Sequence, residues 1–171
     1  MFSLLLVLFT VQLQAAPLSL ETAKGRIFIQ GFSGWELGKD MFGMPFIYFS
    51  PQKNGQRSNI SFTATGVDVE INLADLGKDK EGYQKMKRAW AQQVGALTQG
   101  FSPYKLWKNI HGHAVHEVGF SYLHDGKTYV ENSYYVDCRG RLIYSKSLRL
   151  EANKEHEDSF NKLIKELDCA L

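Results

Sequence analysis

The chain has 171 residues, 44% of them hydrophobic, 22% charged and 13% aromatic. That length and composition suit one domain with a sizeable core, and exclude a disordered tail, a collagen-like repeat and a scaffold that needs cross-links to fold. Lys and Arg number 20 against 18 Asp and Glu, and a net charge of +2 is too balanced for a dedicated nucleic-acid binder.

Residues 4–13 are an apolar run, and Gln14, Ala15, Ala16 and Pro17 follow. A short apolar stretch ending in small residues reads as a secretory signal over residues 1–16. Cleavage fits after Ala15 or Ala16, and a buried N-terminal strand or helix is the alternative. The run is shorter than the roughly 20 apolar residues that span a bilayer, and no later stretch is long enough. No Cys lies near the cleavage site, so no lipid anchor is expected. Residues 17–171 then form one domain, exported and soluble, periplasmic or secreted, and monomeric by default.

Residues 25–29 and 44–50 read as short strands, the second stopped by Pro51. Residues 59–65 alternate and are rich in β-formers. A helix follows, with Tyr83, Met86, Trp90, Val94 and Leu97 on one stripe and Lys80, Lys85, Lys87 and Arg88 mostly facing away. Asn72 and Asp75 suit a leading capping turn, and Gly100 and Pro103 are its expected stops. Strands are predicted over 104–109, 114–124, 128–138 and 142–150. Asp125-Gly126 is a two-residue hairpin signal, and Arg139-Gly140 a second turn. Even-numbered apolar residues of the paired strands, Val118, Phe120 and Tyr122 against Val130, Tyr134 and Val136, are expected to face each other. A last helix starts near Lys154, with Phe160, Leu163, Ile164 and Leu167 inward and Glu155, Glu157 and Asp158 at its positive end. The expected fold is α+β, an antiparallel sheet of about six strands flanked by helices.

Cys138 and Cys169 are the two cysteines, and in an oxidising compartment such a pair is most simply a disulfide. The bridge requires the last helix to end near Asp168, since Cys169 otherwise points away from the apolar face. Two buried free thiols are the alternative. His111, His113 and His116 invite a divalent metal, but typical zinc spacings are absent. A turn histidine and paired strand histidines are the preferred reading. No phosphate loop, dinucleotide fingerprint, zincin helix or nucleophile elbow occurs, so no enzymatic activity and no cofactor are expected. Lys80, Lys87 and Arg88 on the first helix, with Lys78 and Lys85 beside them, and Trp35 after Gly34, are the candidate partner-binding residues. A solvated basic face is the plainer reading.

In order, Gly34-Trp35, Ser50-Pro51, Asn59-Ile60, Ile110-His111-Gly112-His113-Ala114, Tyr134-Tyr135-Val136 and Gly140-Arg141-Leu142-Ile143-Tyr144 resemble the PsbP/DcrB-like group. His111 stands where that group usually has Asn. The resemblance covers about residues 25–167 and implies an α/β/α sandwich. Members are mostly non-enzymatic accessory proteins, so it also implies a binding or assembly role. The expected function is an exported, non-enzymatic accessory protein with a protein partner in the cell envelope. A metal module on His111, His113 and His116, or a small ligand carrier or hydrolase, are the alternatives.

Overall fold

The computed structural model describes residues 18–22, 25–64, 80–138 and 142–170. The predicted signal, the turn at Asn72 and Asp75, Lys78, and Arg139 to Arg141 lie outside the described residues. In chain order the elements are β1 (Leu18–Thr22), β2 (Gly25–Ile29), β3 (Glu36–Met41), β4 (Met44–Phe49) and β5 (Asn59–Ala64). Then come α1 (Lys80–Gln93), β6 (Leu97–Lys108), β7 (Ala114–His124), β8 (Lys127–Asp137), β9 (Leu142–Leu150), α2 (Glu155–Glu166) and β10 (Asp168–Ala170). Among the described residues no helix is long and apolar enough to cross a membrane.

Seven strands form one antiparallel sheet in the order β3-β4-β5-β9-β8-β7-β6. A second sheet has the order β1-β2-β10. The α+β sandwich is as expected, but β1, β3 and β10 are additions. Glu36–Met41 is largely exposed and polar, which hides a strand from hydrophobic patterning.

The β7–β8 hairpin turns at Asp125 (φ 48°) and Gly126 (φ 70°), the left-handed pair a type I′ turn requires. That turn pairs His124 with Lys127, so even positions of β7 oppose odd positions of β8. Phe120 therefore faces Glu131 and Tyr122 faces Tyr129, not the even residues Val130, Tyr134 and Val136. The two even-numbered faces lie on opposite sides of the sheet. Val115, Tyr134, Val136 and Ile143 face α2, where they pack with Ile27, Ile29, Ile60, Phe62, Phe160, Leu163 and Ile164. Phe120 and Tyr122 face α1 with Ala91 and Ala96. Each large side chain buried this way contributes about 1.5–3 kcal/mol relative to exposure.

Helix α1 ends at Gln93, and Gly95 (φ 72°) turns the chain well before the expected stops at Gly100 and Pro103. Pro103 lies inside β6, which runs earlier and longer than predicted. It is tolerated because β6 is an edge strand whose pairing shifts register between Ser102 and Lys105.

The inward stripe of α1 is also rotated from the expected one. Met86 is exposed while Lys87 points inward, and Val94 and Leu97, expected on the same stripe, lie exposed beyond the end of the helix. The cause is Glu131, a carboxylate buried on the sheet face beneath. Lys87 Nζ donates to Glu131 Oε1, and their side chains are 13% and 6% exposed. The ammonium also lies 5.6 Å from the ring centre of Phe120, 5.8 Å from Tyr83 and 5.9 Å from Trp90. Aromatic faces and a carboxylate together compensate the lysine for lost water.

Removing one partner leaves a buried charge, so Lys87→Ala is expected to cost about 3 kcal/mol in urea unfolding. The double change Lys87→Met with Glu131→Leu is expected to recover most of that loss, because neither buried charge remains.

Candidate functional site

Polar chemistry gathers at the end of the main sheet where β6 leads into β7. Asn109 organises it. Its Nδ2 donates to the Leu167 carbonyl at 2.7 Å and the Ile164 carbonyl at 3.4 Å. Those carbonyls belong to the C-terminal turn of α2, which has no helical donors of its own left. The Ile110 N–H adds a bond to the Lys165 carbonyl at 3.1 Å. Asn109 Oδ1 accepts from the backbone N–H of His111 at 3.1 Å and of His113 at 3.0 Å. Gly112 takes φ 82°, a left-handed conformation that suits glycine and folds the two histidines back to one side.

Helix α2 ends at Glu166, and Leu167 has extended backbone, which swings Asp168 and Cys169 onto β10. The geometric condition for the bridge is thereby met. Cys138, just past β8, and Cys169 form a disulfide with Cα atoms 5.8 Å apart. It covalently joins the small sheet to the main one. His113 is 6% exposed, and its Nε2 donates to Asp168 Oδ1 at 3.3 Å. His111 Nδ1 lies 3.8 Å from Asp168 Oδ2. Burial acts to raise the Asp168 carboxyl, but the Cys169 N–H and the two imidazoles outweigh it and hold it below the usual carboxylate range. A ring nitrogen of His113 and both sulfurs lie within 4.8 Å of one another. Among the described residues this is the one trio of His, Cys, Asp or Glu ligand atoms so closely grouped.

The three candidate metal histidines do not converge. His111 and His113 meet at Asp168, whereas His116 lies within β7 and pairs through Nδ1 with the Tyr104 hydroxyl at 2.7 Å. Burial lowers the His116 pKa, against an opposing pull from Asp137. Sequence reasoning missed Asn109 and Asp168, although each adjoins a residue it singled out.

The candidate partner-binding residues separate as well. Trp35 is half-buried, with its ring 4.5 Å from Phe32, 5.3 Å from His156 and 5.6 Å from Phe160. It closes the α2 core. Lys87 is buried against Glu131 and leaves the basic face. Lys80 and Arg88 remain exposed, Arg88 bonding Gln84 at 3.3 Å and lying over the Phe101 ring. An open groove of about 590 Å³ between β6, β7 and α2 is lined by Lys105, Trp107, Glu117, Asn161 and Lys165 among others. Glu117 is engaged there by Trp107 Nε1 at 3.1 Å and Lys105 Nζ at 3.3 Å.

Two solved structures share this architecture. LpqN of Mycobacterium tuberculosis, involved in cell envelope biogenesis, superposes with a TM-score of 0.61 at 15% identity, over 91% of each chain. CyanoP, the cyanobacterial PsbP of Synechocystis sp. PCC 6803, superposes with a TM-score of 0.58 at 11% identity, over 91% of this chain and 94% of that one. The fold is PsbP-like. The fold implied by the short motifs is therefore the fold observed. At such identities the likeness speaks to architecture, and function has to come from the site. No protein-family profile matches the chain, and no curated protein matches its sequence.

Within this PsbP-like fold the disulfide closes a 31-residue separation. Loop-closure entropy for that length gives about 3–4 kcal/mol. Cys138→Ser with Cys169→Ser is expected to lose about that much stability in denaturant unfolding while keeping the far-ultraviolet spectrum of the sheet.

Proposed function

We propose that this chain is an exported, non-enzymatic binding protein of the cell envelope that engages a protein partner through the outer face of α1. Export is supported by the apolar run at 4–13 and by the disulfide, which persists in oxidising compartments. An accessory role is supported by the shared fold with LpqN, a protein of envelope biogenesis. The absence of catalytic motifs in the sequence agrees with a non-enzymatic role.

The observation that carries the reading is the composition of that outer face. On α1 Met86 is 57% exposed, and Lys80, Lys85 and Arg88 of the same helix are exposed; just past the helix Val94 is 41% exposed, and Leu97, at the start of β6, 65%. Exposed apolar side chains on and next to a helix that also carries exposed cations suit a protein partner. Exposed cations speed encounter with acidic partners, and exposed apolar groups hold them. The inward turn of Lys87 is what leaves Met86 outside.

A photo-crosslinking residue at Met86, in cells expressing the full chain, is expected to trap a discrete envelope protein. Lys80→Glu with Arg88→Glu is expected to abolish the product, and a crosslinker at Asp125 on the β7–β8 turn should give none. The same background at Met86 and Asp125 would contradict the proposal.

A further inference from the structure

The disulfide end of the sheet carries a second chemistry that the binding reading does not use. Cys138, Cys169 and His113 are all buried, with donor atoms within 4.8 Å of one another. Two sulfurs and an imidazole nitrogen are the donors that thiophilic divalent ions select. Asp168 lies outside that trio but next to His113, and as a half-exposed side chain it can turn in as a fourth donor. His113 Nε2 and Asp168 Oδ1 are 3.3 Å apart. Two N or O donors on one tetrahedral zinc, bonded at about 2.0–2.1 Å, stand about 3.3 Å apart. The cysteine Cα separation of 5.8 Å also lets both sulfurs reach one ion with bonds of about 2.3 Å.

We infer that reduction of Cys138–Cys169 converts this cluster into a zinc site of two thiolates, the His113 imidazole and the Asp168 carboxylate. The surroundings are arranged for it. Asn109 Oδ1 accepts from the His113 backbone N–H at 3.0 Å, which fixes the main chain that carries the imidazole. His111 contacts the other Asp168 oxygen at 3.8 Å, which orients the carboxylate. Asp168 and His111 are 44% and 36% exposed, so an ion has a path in from solvent. In the oxidised chain both sulfurs are bonded to each other and the site is closed to metal.

The conversion balances with a dithiol as reductant. The dithiol gives two electrons and two protons to the Cys138–Cys169 bond and leaves as a disulfide, and the protein gains two thiols. Binding Zn²⁺ as a dithiolate then releases those two protons to solvent.

The test uses the full chain without a polyhistidine tag, reduced by a phosphine, freed of reductant under argon and titrated with Co²⁺ and then Zn²⁺. Reduced protein is expected to bind one Co²⁺ with the visible bands of a tetrahedral site and a near-ultraviolet thiolate charge-transfer band. Zn²⁺ should bleach both, and oxidised protein should show neither. His113→Ala is expected to weaken binding by more than about tenfold and Asp168→Asn by less. His116→Ala should bind as the unaltered chain does. If reduction lowers the melting temperature, Zn²⁺ is expected to raise it again. Absence of stoichiometric Co²⁺ binding, His113→Ala binding at full strength, or a melt that Zn²⁺ leaves unmoved would each overturn the inference.

Discussion

A three-residue strand holds the small sheet of this protein to the large one. Strand β10 pairs with β2, and its Cys169 is bonded to Cys138 at the end of β8. Sheets of short strands are marginal alone and need a partner surface. Here that surface is the α2 face of the main sheet, where Ile27 and Ile29 are fully buried. The covalent link fixes how β2 and β10 lie on that face, and therefore where α2 must end. Asn109 completes the closure, because one side chain serves the last carbonyls of α2 and two amides of the histidine turn. Sulfur, carboxylate and imidazole meet at this end because the fold has to be closed there.

The other face of the sheet is held differently. A buried ion pair in an aromatic surround, Lys87 with Glu131, positions α1 without any covalent link. Such a pair adds little net stability over an apolar one, but it specifies orientation, since only one rotation of the helix satisfies the carboxylate. That rotation leaves Met86 exposed. The internal packing of α1 and the character of its outer surface are thus two consequences of one interaction. The PsbP-like fold keeps two devices apart, an end closed by a disulfide and a helix held by a buried ion pair.

Much of this is legible in the residues. The strands from Ala114 onward declare themselves through alternation and the Asp125-Gly126 turn, and the last helix through its apolar stripe. The cysteine pair points to the closed end, with two free thiols as the less favoured alternative. What escapes is long-range. Lys87 lies one position from the apolar stripe, and nothing local shows that Glu131 waits beneath it. Glu36–Met41 pairs as an edge strand despite its polar composition. Pro103 stops a helix by rule yet rests in an edge strand by position. His111, His113 and His116 look like one cluster in sequence, and the start of β7 divides them. Asp168, from the far end of the chain, is what His111 and His113 meet instead.

The main sheet with its two helices stands on its own, while the disulfide end is closed by Cys138–Cys169 and Asn109. Hydrogen exchange on the oxidised and the metal-free reduced chain tests it most directly. On reduction, faster exchange is expected over residues 25–29, 109–113 and 166–170, with residues 115–122 and 130–136 unchanged. A uniform rise over the whole chain, or no change at residues 25–29 and 166–170, would contradict the account.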